Sequence, residues 1–302
     1  MRAIRMLRGA APLVEQIVDD PVAGAGEVVV EVRCAGTCHS DAHYRADASR
    51  VRLPVTLGHE VAGVIAGTNQ RVALHYLMPN GDMLGKERDG GYAERIVVPA
   101  ANAIPIPDEV PFEQAAIMMC STATALHALR VASFRAGQSL GILGFGGLGI
   151  SALQLARALG ASRVVAADVV PEKLALARSL GAETGTLDCD VVVDFAGHAP
   201  AALAALRAMK PGGTLVLVAI NLRDFTFDAY ADVLARERRI VGCADHTRDE
   251  LVELMELARR GDLDLSQAVT RRVPLDADAI NAVLDELERG TAHVRTVITP
   301  TP

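Results

Sequence analysis

The chain has 302 residues, half of them apolar, and a formal net charge of −7 at pH 7. This length suits two domains, and the negative charge, without any block of Lys and Arg, argues against a nucleic-acid-binding surface. No apolar run is long enough to cross a membrane, the N-terminus lacks a signal-peptide core, and five cysteines form no disulfide framework, so a cytoplasmic protein with reduced thiols is predicted.

The N-terminal third is interrupted by Gly and Pro and contains short β-like runs, which predict a small mixed-β domain. These runs are residues 3–6, 28–33, 61–66, 71–74 and 92–98. From Glu113 onward, long helical stretches alternate with apolar strands. Repeated strand–helix–strand units predict an α/β fold with a doubly wound parallel sheet.

This alternation continues to the end of the chain. Strands are predicted at residues 139–143, 163–167, 190–196, 214–220, 239–243, 268–273 and 294–298. Helices are predicted at residues 148–159, 171–180, 200–209, 230–237, 248–260 and 277–289.

A glycine-rich run at residues 144–149 follows the strand at 139–143 and opens a helix. Gly144 allows a tight turn, Gly146 lets the backbone approach a pyrophosphate, and Gly149 lets helix and strand pack closely. The helix N-terminus supplies free N–H groups, and the next strand ends in Asp168, whose carboxylate can bond ribose hydroxyls. In this context the run predicts dinucleotide binding; the alternative is a tight turn before a buried helix.

Candidate metal ligands are spread along the chain, at Cys38, His59 and Cys120. Two thiolates and one imidazole form a suitable ligand set for Zn²⁺, with the fourth position free for water or substrate. Their spacing alone leaves other interpretations open, because Cys120 could be a small core residue and His59 a structural histidine.

The polar residues after Cys38 also have two interpretations. Ser40 and Asp41 could cap a helix and occupy its first turn, and His43 could be a solvated side chain. Alternatively, these residues take part in chemistry at the metal.

The motifs together resemble those of the zinc-dependent alcohol dehydrogenases of the medium-chain dehydrogenase/reductase (MDR) superfamily. They are Cys-His-Ser-Asp at 38–41 with His43, Gly-His-Glu at 58–60, Gly-Gly-Tyr-Ala-Glu at 90–94 and the glycine-rich run at 144–149, in the family's order. The match extends from about Val28 to Ile298. It implies a GroES-like catalytic domain formed by residues 1–120 and 246–302, and a Rossmann NAD-binding domain at residues 121–245.

The resemblance also implies roles for the residues around the metal. Cys38, His59 and Cys120 match the ligands of one catalytic zinc. Glu60 matches a carboxylate behind the metal that can exchange into its coordination shell, and Asp41 matches the acid that orients the zinc-bound histidine.

Ser40 and His43 match a proton relay, in which the serine takes the proton of the alcohol and the histidine delivers it to the surface by way of the cofactor ribose. His39 and Arg295 match positions facing the pyrophosphate, and Thr124 matches one under the nicotinamide. Lys173 matches a lysine that assists the ribose-binding acid. The implied cofactor-binding residues are His39, Thr124, Gly144, Gly146, Gly147, Leu148, Gly149, Asp168, Lys173 and Arg295.

The activity implied is hydride transfer between NAD(H) and an alcohol, aldehyde or ketone, by a homodimer or homotetramer that binds neither nucleic acid nor membrane. NAD is expected rather than NADP, because Asp168 would repel a 2′-phosphate. Three alternatives remain: a dehydrogenase of the same fold acting on a polyol, an amino alcohol or a biosynthetic aldehyde or imine; a zinc-free quinone or enoyl reductase; and a catalytically inactive nucleotide-binding protein.

The chain departs from the family's longer members between Glu60 and Gly90. Those members carry a lobe with four closely spaced cysteines that bind a structural zinc, whereas this shortened segment contains no cysteine. One zinc per chain and a short polar loop turning at residues 79–82 are therefore predicted. Tyr76 is expected as an aromatic wall residue, Cys34 and Cys189 in the core, and Cys243 near the nicotinamide.

Overall fold

The computed structural model describes residues 1–220, 223–290 and 294–300. Contacts between Cα atoms divide the chain into two compact units. The first contains residues 1–120 and the chain from Leu251 onward, and the second contains residues 121–250. Within the described residues, no helix combines the length and the apolar composition needed to span a membrane.

Strands and helices are numbered in chain order. The strands are β1 (Arg2–Met6), β2 (Val14–Ile17), β3 (Glu27–Gly36), β4 (Val55–Thr56), β5 (Glu60–Ile65), β6 (Arg71–Leu74), β7 (Arg95–Pro99), β8 (Ala103–Pro105), β9 (Ser139–Leu143), β10 (Arg163–Ala167), β11 (Glu183–Thr184), β12 (Val191–Asp194), β13 (Thr214–Leu217), β14 (Arg239–Gly242), β15 (Val269–Pro274) and β16 (Arg295–Thr299). The α-helices are α1 (His39–Ala46), α2 (Phe112–Ile117), α3 (Ala123–Val131), α4 (Gly147–Ala158), α5 (Pro171–Ser179), α6 (Ala199–Ala208), α7 (Arg248–Arg259) and α8 (Ala277–Glu288).

The first unit is built on mixed β-structure, as the sequence predicts. A seven-stranded sheet has the order β15-β16-β3-β5-β6-β8, with β7 also paired to β3, and a smaller sheet has the order β2-β1-β4. Only β15 and β16 are parallel neighbours in the larger sheet. Because β3 and β5 are antiparallel, the end of β3 lies beside the start of β5, and Gly36 pairs with Glu60.

Helix α1 is fixed to α8 by a buried arginine. The Arg45 guanidinium donates to Asp285 Oδ1 at 2.5 Å and to Glu288 Oε1 at 3.0 Å. Asn281 on α8 also bonds both the N–H and the C=O of Leu13. Helix α1 follows the end of β3, and its contacts with α8 hold it there. The residues at the start of α1 belong to the candidate site.

The second unit contains the predicted doubly wound sheet. Its six strands are all parallel, in the order β11-β10-β9-β12-β13-β14. Chain order therefore reverses between β9 and β12, and ligands of such sheets bind beyond the carboxyl ends of the strands at this point. Strands β9 and β12 are buried along their whole length, as expected for a parallel sheet covered by helices on both faces.

Several element predictions were wrong in detail. The helix predicted at 230–237 is instead two short turns, Ala229–Val233 and Leu234–Arg236. The strand predicted from residue 92 begins only at Arg95, and the strands predicted at 190–196 and 214–220 end at Asp194 and Leu217. The Asp194 carboxylate accepts the N–H groups of residues 196 and 197, which turns the chain away from the sheet.

Candidate functional site

Four potential metal ligands meet at one place in the first unit. The ligand atoms of Cys38, His59, Glu60 and Cys120 all lie within 4.8 Å of one another. Cys38 is the N-cap of α1, and His59 and Glu60 stand at the start of β5. Cys120 lies on a π-helical turn after α2, a rare geometry that is frequent at functional sites. No second such group is present among the described residues.

Asp41 connects three parts of this site. Its Oδ2 accepts the Cys38 N–H at 3.0 Å, and its Oδ1 accepts the Gly58 N–H at 3.2 Å. Oδ1 also lies 3.3 Å from His59 Nδ1, so Nε2 is the ring nitrogen left to meet a metal. Asp41 is therefore both the N-terminal capping acid of α1 and a direct neighbour of the histidine; the two interpretations of this residue are compatible.

The electrostatics of the cluster suit a cation. A hydrogen bond from the Cys120 thiol, together with the nearby His59, holds the pKa of the Cys38 thiol well below its usual range, although burial acts to raise it. Burial acts to lower the pKa of His59, but Asp41 and Cys38 outweigh it and raise that pKa well above its usual range. These opposite shifts describe a thiolate of Cys38 and an imidazolium of His59 that stabilise each other, and the thiolate is the form of cysteine that binds a metal.

One carboxylate oxygen of Glu60 accepts a hydrogen bond, and the other has no hydrogen-bond donor among the described residues. Arg295 on β16 donates to Oε2, whereas Oε1 is buried without any hydrogen-bond partner among the described residues. Burial raises the pKa of Glu60 to about 7, although Arg295 opposes this shift. A Cβ at Gly36 would stand 2.0 Å from Oε2, so glycine is needed there. The free oxygen beside two thiols and an imidazole fits a divalent metal.

The predicted relay residues lie on the first turns of α1. Ser40 is half-buried, with its Oγ 3.7 Å from Cys38 Sγ, and His43 is exposed one turn later. His39 is also exposed, and its ring centroid lies 6.5 Å from that of His43. One face of α1, which carries His39 and His43, is therefore exposed next to the candidate metal ligands.

The glycine-rich turn in the second unit has the geometry that its sequence predicts. Gly144 has φ +91°, which only glycine adopts readily. A Cβ at Gly149 would lie 2.8 Å from the Gly144 carbonyl oxygen, so this position permits close helix–strand packing. At Gly146, by contrast, no heavy atom of the described residues, apart from its neighbours along the chain, lies within 4 Å of the place of a Cβ.

Gly146 is also the N-cap of α4, and no side chain caps this helix. The open space and the uncapped first turn, with Gly147 and Leu148, fit a pyrophosphate. Asp168 directly follows β10, and its carboxylate accepts the N–H groups of Phe145 at 2.7 Å and Val170 at 2.9 Å.

The other predicted cofactor residues are only partly accessible. Thr124 on α3 and Lys173 on α5 are half-buried. Cys243 Sγ lies 3.9 Å from the Thr124 carbonyl oxygen. Arg295 is buried against Glu60, and a role for it toward the pyrophosphate stays a prediction.

The shortened segment after β6 differs partly from the prediction. The tight turn is confirmed, with Gly81 at φ +88° and Asn80 Nδ2 donating to Asp82 Oδ2 at 2.8 Å. Its flanks are not polar, however, because Tyr76, Met78 and Leu84 are buried in the core. The Tyr76 ring stands edge-on to the His59 ring, with centroids 5.4 Å apart, and its role as an aromatic wall residue stays a prediction.

One residue of this site is missed by sequence reasoning. Tyr92 is fully buried, and its hydroxyl donates to Asp41 Oδ2 at 2.9 Å. The only sequence signal for Tyr92 was its position in the Gly-Gly-Tyr-Ala-Glu motif, and this motif does not indicate that the tyrosine bonds Asp41.

Comparison with known proteins adds independent evidence. Residues 24–108 match the family described as alcohol dehydrogenase GroES-like domain, and residues 147–188 match the family described as zinc-binding dehydrogenase. An alcohol dehydrogenase of Geobacillus stearothermophilus is 30% identical over 93% of this chain and 94% of its own length. An L-threonine 3-dehydrogenase of Bacillus velezensis is 27% identical over 85% of this chain and 87% of its own.

Among solved structures, the alcohol dehydrogenase of Aeropyrum pernix superposes with a TM-score of 0.89 at 27% identity. The superposition covers 99% of this chain and all of that one. The first unit is thus the GroES-like fold and the second the Rossmann fold. The four potential metal ligands, the glycine-rich turn and these matches over most of the chain together show its family. The chain belongs to the zinc-dependent alcohol dehydrogenase family of the medium-chain dehydrogenase/reductase superfamily.

Proposed function

We propose that this protein transfers a hydride between NAD(H) and a small alcohol, aldehyde or ketone, with one zinc ion in each chain. The observation that carries the proposal is the convergence of Cys38, His59, Glu60 and Cys120 in a chain that also has an open, uncapped glycine-rich turn. An inactive nucleotide-binding protein would have no need of these four potential metal ligands. A zinc-free reductase would not need the thiols of Cys38 and Cys120.

When bound, zinc supplies a Lewis acid for the substrate oxygen, and the nicotinamide supplies the hydride acceptor or donor. The residues of this chain hold and orient these groups. Cys38, His59 and Cys120 are proposed as the metal ligands, with Glu60 behind the metal. Asp41 holds the Nδ1 side of His59, which leaves Nε2 for coordination.

Ser40 and His43 are proposed to move the proton of the alcohol. The Ser40 hydroxyl stands beside Cys38 and would accept the proton of the alcohol while releasing its own proton, by way of the cofactor ribose, to His43. His43, exposed on the same helix, passes it to solvent. Reduction of a carbonyl uses the same groups in the opposite direction.

The dinucleotide is proposed to bind along the first turn of α4, with its pyrophosphate over Gly146, Gly147 and Leu148. Asp168 bonds the adenosine ribose, and Lys173 assists it. NAD is preferred because the residue after Asp168, Val169, is exposed and uncharged and therefore offers nothing to a 2′-phosphate. His39, Arg295 and Thr124 complete the cofactor contacts.

Amino alcohols are the second candidate substrate class, because one relative is named an L-threonine 3-dehydrogenase. The test is the rate of NADH formation, followed by absorbance, with a panel of primary and secondary alcohols, polyols and L-threonine. The same panel is repeated with NADP. Turnover with simple alcohols and NAD supports the first candidate, turnover with L-threonine alone supports the second, and no turnover with any substrate contradicts both.

Further proposals concern assembly and location. Strand β14 is an open edge of the six-stranded sheet, with Tyr230 and Leu234 exposed shortly before it. We propose that a second copy covers this edge in a homodimer or homotetramer. The cysteines of the described residues are all free, which suits the reducing cytoplasm.

A further inference from the structure

The hydroxyl of Tyr92 is part of the support of the metal cluster. It donates to Asp41 Oδ2, the same oxygen that accepts the Cys38 N–H, while Oδ1 accepts from Gly58 and faces His59. Both Tyr92 and Asp41 are fully buried. Burial, together with Asp41, raises the pKa of Tyr92 well above its usual range, so this phenol remains a neutral donor.

The ring of Tyr92 also supports the backbone that carries His59. A Cβ at Gly58, where φ is +96°, would lie 2.4 Å from Cδ1 of the Tyr92 ring. The ring therefore packs directly on the peptide that precedes His59. Main-chain bonds from Tyr92 N to Leu57 O at 3.0 Å and from Gly91 N to Gly58 O at 2.8 Å join the two segments.

Two further glycines bring the shortened segment against the same peptide. A Cβ at Gly85 would stand 2.9 Å from the Gly58 nitrogen, and one at Gly90 would stand 2.2 Å from the Gly58 oxygen. The chain from Gly85 to Tyr92 is thus packed closely against the turn before His59.

We propose that Tyr92 is a positioning residue for the metal ligand His59, acting through Asp41. The inference rests on the proposed zinc site. Four donors share one buried carboxylate, two on each oxygen, and its orientation decides whether Oδ1 faces His59 Nδ1. Without the phenol, Oδ2 keeps only the Cys38 N–H, and the orientation of the carboxylate is held less firmly. Loss of such supporting bonds typically weakens metal binding by about 10- to 100-fold.

The test is the rate of zinc release from the full-length protein to a chromophoric chelator. Tyr92→Phe keeps the ring over Gly58 and removes only the hydroxyl, and it is expected to release zinc about tenfold faster. Asp41→Asn is expected to release zinc at least as fast, and Tyr92→Phe added to Asp41→Asn should change the rate less than about twofold. Tyr44→Phe, on the same helix as Asp41, is the matched control and should match the wild type.

The outcomes separate this inference from the proposed function. If Tyr92→Phe accelerates zinc release equally in the wild-type and Asp41→Asn proteins, Tyr92 acts on the fold and not through Asp41. If Tyr92→Phe releases zinc at the wild-type rate, its hydroxyl does not position His59. Either result overturns the inference while leaving the zinc site intact. A wild-type protein that takes up no zinc would overturn the proposed function, and this inference with it. If Tyr92→Phe does not fold, a normal rate in Asp41→Asn overturns the inference.

Discussion

Replacing Gly146 by alanine should separate cofactor binding from folding. Since no heavy atom of the part of the chain that the structure describes, beyond the two neighbouring residues, lies within 4 Å of the new methyl group, we expect no clash in the free protein. Alanine is a poorer N-cap than glycine, so the free energy of unfolding should fall by no more than about 1 kcal/mol. The methyl group would stand where the pyrophosphate approaches the N–H groups of α4. Loss of one such charge-assisted hydrogen bond costs about 1.5–3 kcal/mol, which weakens binding roughly 10- to 150-fold.

The assay is titration with NADH, followed by its fluorescence, together with urea unfolding of the same preparations. Gly144→Ala is the comparison variant: its φ of +91° penalises alanine by about 1–2 kcal/mol, and its Cβ would stand 3.0 Å from Ala196 N. It should lose stability as well as affinity, whereas Gly146→Ala should lose affinity with little loss of stability. Wild-type NADH affinity in Gly146→Ala would refute the proposed pyrophosphate position.

The remaining predictions concern the metal, the relay and cofactor choice. Cys120→Ser should abolish activity and most of the bound zinc, because it removes one of the two thiols of the cluster; full zinc occupancy with normal turnover would contradict this. His43→Gln should slow alcohol oxidation most at low pH, since solvent base replaces the relay at high pH, and a uniform loss across the pH–rate profile would indicate a structural role. Turnover efficiency should favour NAD over NADP, and Asp168→Ala should narrow the ratio; a wild-type ratio favouring NADP would refute the role of Asp168. Elemental analysis should give one zinc per chain, and a value of two would reveal a second site.

Much of the fold follows from local sequence, because its signals are periodic. Buried strands such as β9 and β12 are apolar on both faces, and their alternation with helices predicts the parallel sheet. The two-residue strands β4 and β11 are too short to show any period. In the segment at 230–237, where the predicted helix is absent, Asp232 forms an ion pair with Arg207, a distant contact that the local sequence does not reveal.

Site residues that lie in a contiguous sequence motif could be predicted. Contacts between residues that only the fold brings together could not. Cys38 and His59 stand in recognisable motifs, and resemblance to the family supplied Cys120, which has no local signal of its own. The bond from Tyr92 to Asp41 joins residues 51 positions apart, and no spacing rule connects them. The buried pair of Glu60 and Arg295 depends on the antiparallel neighbours β16, β3 and β5, a register that the sequence does not state.

We propose that NAD-linked alcohol oxidation by this protein depends on zinc held by the cluster of Cys38, His59, Glu60 and Cys120. The most direct test of this proposal is NADH formation from an accepted alcohol by the purified protein before zinc removal, after chelation, and after titration with Zn²⁺. We expect activity to be lost on chelation and to return fully at one equivalent of zinc per chain. Turnover that persists without metal, or that zinc does not restore in a protein that remains folded, would contradict it.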